Sequence, residues 1–303
     1  MKLINFFILI SSSFLSQFAW SSSCCGAGSS SSLIILGDNK FEVATSYSFR
    51  DDLGQTDTEG NSYFNGKKIK DIKHSLQINA QYQIANRLQI GARTSYVYKN
   101  LEKSGIKEDN HGFSEIDLQT SYEYISLYNY GQLLPRAFIY GKISVPLSHS
   151  LYNSDSLILS DVRGTGLWSL SVGNLFVKKI NQVTLKLGSE WGHFLGKRFN
   201  ETRLHAYNRF SVPLGISYDF IDTPFSIGLN DTFTYQTKKK FTGKVNSQSA
   251  KEFFWEIGAF VNYSYDRNNL FSLAYSDSTL IGKNINSPLY RSVSLSYTYA
   301  LEI

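Results

Sequence analysis

Nine charged side chains occupy alternate positions within otherwise apolar or hydroxyl-rich runs: Glu42, Arg93, Glu115, Asp117, Glu123, Lys186, Glu190, Arg209 and Glu256. A spacing of two puts such groups on one face of an extended strand, beside the Ser, Gln, Asn and Gly residues of the same parity. Carboxylates and cations arranged this way either pair across neighbouring strands or line a wet passage. The residues leave both roles open. Arg93 lies one strand from Glu115, Asp117 and Glu123, and Lys186 and Glu190 lie one strand from Arg209, so cross-strand ion pairs are geometrically available.

Bond-breaking chemistry finds less material. Of the five histidines, only His149-Ser150 with Asn153 resembles a nucleophile set. Its spacing is loop-like, and no His-x-Ser strand motif accompanies it, so a lipid-hydrolase reading is the weakest of those weighed. No phosphate loop, metal cluster or dinucleotide fingerprint occurs, and neither enzyme activity nor a cofactor is expected. Cys24 and Cys25 are the only cysteines. A zinc site wants about four ligands, and a lipidation signal wants an apolar residue where Ser21 and Ser22 stand. An unmodified or oxidised pair is favoured.

The elements that must position these groups show a period of two from Phe41 onward. Phe41, Val43, Thr45, Tyr47 and Phe49 alternate with Glu42, Ala44, Ser46, Ser48 and Arg50, and Leu76, Ile78, Ala80, Tyr82 and Ile84 alternate with a wholly polar set. Twelve such segments can be counted. The fifth (Arg136 to Val145) and sixth (Leu167 to Val177) are irregular enough to predict a bulge and leave their faces unassigned. Pro213 predicts a bulge in the eighth, and Asp231 interrupts the apolar face of the ninth. In the last, Val293, Leu295, Tyr297, Tyr299, Leu301 and Ile303 share one face to the end of the chain.

Period two alone does not separate a soluble sandwich from a membrane barrel. The connections do more: five shorter turns alternate with six long loops, Asn100 to Gly112 and His149 to Gly166 among the long ones, as in an up-and-down barrel with both termini on one side. Segments of about ten residues suit a tilted crossing of a bilayer, and a sheet in hydrocarbon must close. Of 303 residues, 20 are Tyr and 21 Phe. Tyr47, Tyr96, Tyr98, Tyr122, Tyr124, Trp191, Tyr218, Tyr263 and Tyr265 fall near strand ends, where girdles form. Mean hydropathy is −0.22, and beyond the first twenty residues no apolar run is long enough for a spanning helix. A net charge of +5 is spread too thinly to indicate nucleic-acid binding. The fold class expected is all-β, a transmembrane antiparallel up-and-down barrel of about 12 strands.

Residues 1–21 read as an export signal, with Met1-Lys2, an apolar run and Ala19-Trp20-Ser21. Residues 22–39 form a Ser/Gly-rich segment whose tetrad Leu33-Ile34-Ile35-Leu36 is either a plug inside the barrel or a short strand at its rim. Residues 40–303 form the barrel. The expected location is the outer membrane of a Gram-negative cell, and the expected partners are its lipids and lipopolysaccharide, which the Lys238-Lys239-Lys240 run could touch.

Two resemblances refine this. The terminal strand resembles the signal read by the barrel-assembly machinery, with Ile303 where that signal usually has Phe. His111-Gly112-Phe113-Ser114-Glu115-Ile116-Asp117-Leu118, with an echo at Gly164-Thr165-Gly166-Leu167-Trp168, resembles the Gly-x-Gly-Asp-(Leu/Ile)-x-Leu hairpin entry of the small outer-membrane transporters known as phenol-degradation meta-pathway proteins. The central Gly-Asp pair is missing here. That family implies a twelve-stranded barrel and uptake of hydrophobic or aromatic compounds. The function expected is a channel or transporter for small solutes, with a structural or surface-recognition barrel as the alternative.

Overall fold

A computed structural model describes residues 33–36, 39–66, 69–103, 105–126, 134–150, 154–199, 201–244 and 246–301. The expected export signal, Cys24, Cys25, Asn153 and Ile303 lie outside the described residues. Twelve long strands follow one another: β1 (Phe41–Thr56), β2 (Ile69–Ala85), β3 (Leu88–Lys103), β4 (Ile106–Ile125), β5 (Arg136–Pro146), β6 (Ser169–Ile180), β7 (Val183–Phe194), β8 (Tyr207–Asp219), β9 (Phe225–Gln236), β10 (Glu252–Ser264), β11 (Asn269–Asp277) and β12 (Pro288–Leu301). Each pairs antiparallel with its sequence neighbours, and β12 returns to pair with β1 from Phe41↔Leu301 to Gln55↔Pro288. The sheet is closed and has no edge within the wall.

Burial tells which solvent each face meets. On β2, Leu76, Ile78, Tyr82 and Ile84 are exposed while Asn79 and Gln81 are buried, and the same inversion recurs around the ring. Leu229 and Leu295 are 51% and 56% exposed. A soluble sandwich would bury these leucines; here the apolar face is outside, as a wall in acyl chains requires. All nine girdle aromatics are exposed. Strand direction places Tyr47, Tyr96, Tyr98 and Trp191 toward the long loops and the other five toward the short turns. The chain is therefore a twelve-stranded transmembrane β-barrel.

Three sequence readings change. Asn100 to Gly112 is not a loop: β3 and β4 continue into a hairpin paired as far as Lys103↔Ile106. Its outer face meets water and its inner face meets the polar loop around Leu159 and Ser160, so the segment needs no apolar alternation. Pro213 causes no shift of register, since Ser211↔Glu190 and Leu214↔Leu187 keep one alignment. Gly188 stands opposite, where a Cβ would come within 2.7 Å of the proline ring. Shifts occur instead at Glu123/Ile125 on β4 against β5 and at Thr94/Tyr96 on β3 against β4. Asp231 faces outward as read from the sequence, and there it accepts a hydrogen bond from the Trp255 indole.

Two apolar cores sit at opposite ends. Near the short turns, Ile34 packs on Phe138 and Tyr140, with Leu36 and Leu175 beside them. Near the long loops, Leu167, Phe194, Phe199, Leu204 and Tyr207 cluster with Phe241. The second core lies beneath a small antiparallel sheet built from Lys197–Phe199, Thr202–Leu204, Lys240–Gly243 and Ser247–Gln248.

Candidate functional site: the barrel lumen

Between those cores lies a cavity of about 390 Å³. Of the nine charged residues singled out from the sequence, Arg93, Glu115, Asp117, Glu190 and Arg209 line it. The bulge on β4, where Thr94 pairs with Ile116 but Tyr96 with Phe113, falls at Ser114-Glu115 inside the His111–Leu118 motif. Such an extra residue re-aims side chains. Here Ser114 is buried and contacts Ser95 Oγ at 2.5 Å, while Glu115 lines the cavity.

Cross-strand geometry decides which charges pair. Arg93 and Asp117 are directly opposite, and Arg93 Nε donates to Asp117 Oδ2 at 3.0 Å. Glu190 pairs not with β8 but with β5: Lys142 Nζ donates to Glu190 Oε1 at 2.9 Å, and the Tyr140 hydroxyl donates to Oε2 at 3.0 Å. Both reach across β6 because Gly173 stands between; a Cβ there would come within 2.4 Å of the Tyr140 ring. Arg209 donates to Gln236 Oε1 at 3.3 Å and lies 4.6 Å from the centre of the Phe194 ring. Arg50, Lys142, Glu252, Phe254 and Tyr290 also line the cavity. Their inward parity was visible for Arg50, but Lys142 was lost with the unassigned face of the fifth strand.

The remaining four charges lie elsewhere. Glu42 is 1% exposed on β1 opposite Gln81. Glu123 is held bidentately by Arg136, Nε to Oε1 at 2.8 Å and Nη2 to Oε2 at 3.1 Å, rather than by Arg93. Lys186 lies opposite Gly215 on β8, and Glu256 is buried and hydrogen-bonded to Tyr290.

Toward the short turns lies the tetrad. Leu33, Ile34 and Ile35 are buried inside the barrel. The Gln119 carboxamide accepts from Leu33 N–H at 3.3 Å and donates to Leu33 O at 2.8 Å. Gln89 does the same for Ile35, at 2.8 and 3.1 Å. Two glutamines thus satisfy the backbone of an extended segment as a neighbouring strand would. Gly91 makes room, since a Cβ there would meet Leu33 Cβ at 2.9 Å. Arg136 donates to Leu36 O as well. Residues 33–36 thus lie inside the barrel, against the inner faces of β3, β4 and β5.

Toward the long loops, residues 154–168 fold across the inside of the β3–β4 hairpin. Lys99 Nζ donates to Leu159 O at 3.0 Å, Ser160 Oγ to Glu108 Oε2 at 2.8 Å, and Thr165 reaches the cavity lining. Within this loop, metal-ligating atoms of His149, Asp155 and Asp161 lie within 4.8 Å of one another. Asp161 is already engaged, with His149 Nδ1 at 2.9 Å, the Ser154 hydroxyl, and the Asp155 N–H at 2.9 Å. Burial pushes its carboxyl up, yet these hydrogen bonds outweigh burial and hold it at about 2. The trio is a staple of the loop. Ser150 is 0% exposed, so no lipid ester reaches its hydroxyl.

No protein-family profile matches this chain, and no curated protein sequence does. Among solved structures it is similar to an outer-membrane channel from Pseudomonas putida F1, with 11% identity, a TM-score of 0.69, and coverage of 90% of this chain and all of that one. The β domain of the Bordetella autotransporter BrkA (11% identity, 87% of this chain and 100% of that chain) and the KdgM porin in complex with oligogalacturonate (8%, 85% and 99%) overlap less well, with TM-scores of 0.48 and 0.45. At such identity the first likeness shows the fold alone, and the other two overlap too loosely to carry an argument. Fold and comparison agree on a closed transmembrane β-barrel.

Proposed function

We propose that this protein is an outer-membrane channel for small solutes, with residues 33–36 as its plug. One observation carries the reading: a closed wall, apolar outside, encloses a polar cavity of about 390 Å³. A barrel of twelve strands lies between the filled eight-stranded barrels and the open sixteen-stranded porins, so a narrow passage is the size expected of it. The cavity wall carries hydroxyls, four cations, four acids and the rings of Phe194, Phe254 and Tyr290. Such a lining favours solutes with polar groups, including ring compounds that bear them, over bare hydrocarbons, which gain nothing by leaving lipid for a charged lumen.

The test is solute flux into liposomes containing the purified protein, with and without residues 22–39. The expected outcome is measurable uptake of small sugars or aromatic acids that rises when the segment is removed, with little uptake of benzene-like compounds beyond the protein-free control. Equal leakage in both preparations and in empty liposomes would contradict it. A surface-recognition barrel is the second reading, favoured by the small sheet over the mouth, and a folded but impermeable protein would point to it.

A further inference from the structure

The small sheet over the long-loop end has two unlike faces. Phe199, Leu204 and Phe241 point down onto Leu167, Phe194 and Tyr207. By strand alternation the residues just before them, Arg198, Arg203 and Lys240, point the other way, and all three are exposed. Register sharpens the picture, because Arg203 lies directly opposite Arg198 on one side and Thr242 on the other. His205, on the same face as Arg203, is bonded to the Thr242 hydroxyl at 2.9 Å. The segments 197–205 and 238–248 hold seven lysines and arginines and a single acid, Glu201. That acid lies at the turn, 3.8 Å from Lys244.

Two cations directly opposite each other on a sheet destabilise it. An oxyanion between them reverses the sign of the interaction, because each guanidinium offers a fork of donors matched to phosphoryl oxygens. We propose that this outer face is an oxyanion-binding surface whose occupant is a phosphoryl group of the surrounding lipopolysaccharide, clamped between Arg198 and Arg203 with Lys240 nearby. The inference rests on the outer-membrane reading above. Two observations favour the glycolipid over a free anion. The buried face of the sheet rests on Phe194, a residue of the cavity wall, so the basic face looks away from the lumen at the long-loop end of the barrel. Three exposed cations on one face, Arg198, Arg203 and Lys240, also suit a multiply phosphorylated surface better than one small ion.

The full chain in detergent is titrated with rough-type lipopolysaccharide, with the same material stripped of phosphate, and with inorganic phosphate as competitor. The expected result is roughly tenfold or greater preference for the phosphorylated form, lost in Arg198→Gln/Arg203→Gln, the scale of one or two charge-assisted hydrogen bonds. Displacement by inorganic phosphate at matched concentration would assign the site to a free oxyanion and overturn the glycolipid as its occupant. Equal binding by the double variant, or of the stripped form, would overturn the surface altogether. A second measurement needs no ligand: Arg203→Glu places an acid opposite Arg198, and the melting temperature without lipopolysaccharide should rise. A fall would remove the like-charge premise. Solute flux in vesicles free of lipopolysaccharide is untouched by Arg198→Gln/Arg203→Gln, so failure of this inference and failure of the channel reading register in different assays.

Discussion

At Gln89 and Gln119 a side-chain carboxamide takes the place of a strand partner, and four hydrogen bonds of 2.8 to 3.3 Å result. Each contributes about 1 kcal/mol net, so Gln89→Ala/Gln119→Ala should release the tetrad while leaving the wall intact. Its signature is higher solute flux with unchanged β-sheet circular dichroism. Gly91→Val should act the same way by steric means, since any Cβ there runs into Leu33. Asp161 gives a prediction of another kind. Its folded value of about 2 lies below its ordinary 3.8, so its staple is fully present above that ordinary value and is lost as pH falls through about 2. Asp161→Asn should therefore melt below the wild type near neutral pH, and the gap should close in strong acid. A gap that widens on acidification would reverse the sign of this account.

Among the strands, the wall asks for opposite chemistry at adjacent positions. Leu229→Arg, near the middle of β9 on the lipid face, should cost about 2–4 kcal/mol of folding stability. Thr232→Arg, which faces the cavity, should cost far less, as urea titration of the folded protein in lipid would show. This sorting also explains what was legible beforehand. Lipid on one side and water on the other impose strict alternation on β2, β3 and β8, and these could be read directly. Where a third surface intervenes, the pattern blurs: Phe138, Tyr140 and Leu175 turn inward because the tetrad covers them, so the faces of β5 and β6 could not be assigned, and Lys142 went unnoticed with them. The β3–β4 hairpin was hidden for the converse reason. Water on one side and a polar loop on the other leave no periodic mark. The partner of Glu190 was unreadable because Gly173 lets Lys142 and Tyr140 reach past β6, a contact that no neighbour rule foresees.

Taken whole, the molecule is a closed barrel whose lumen holds residues 33–36 toward one end and a folded loop at the other. Its cavity balances Arg50, Arg93, Lys142 and Arg209 against Glu115, Asp117, Glu190 and Glu252, so the open channel should show little preference between cations and anions. Arg209→Glu tips that balance toward acids and should move the reversal potential toward cation selectivity. The most direct measurement is single-channel conductance in planar bilayers, comparing the full chain with a variant lacking residues 22–39. The account predicts small or intermittent currents for the former and steady, larger ones for the latter. A folded barrel that stays silent after the segment is removed would contradict it.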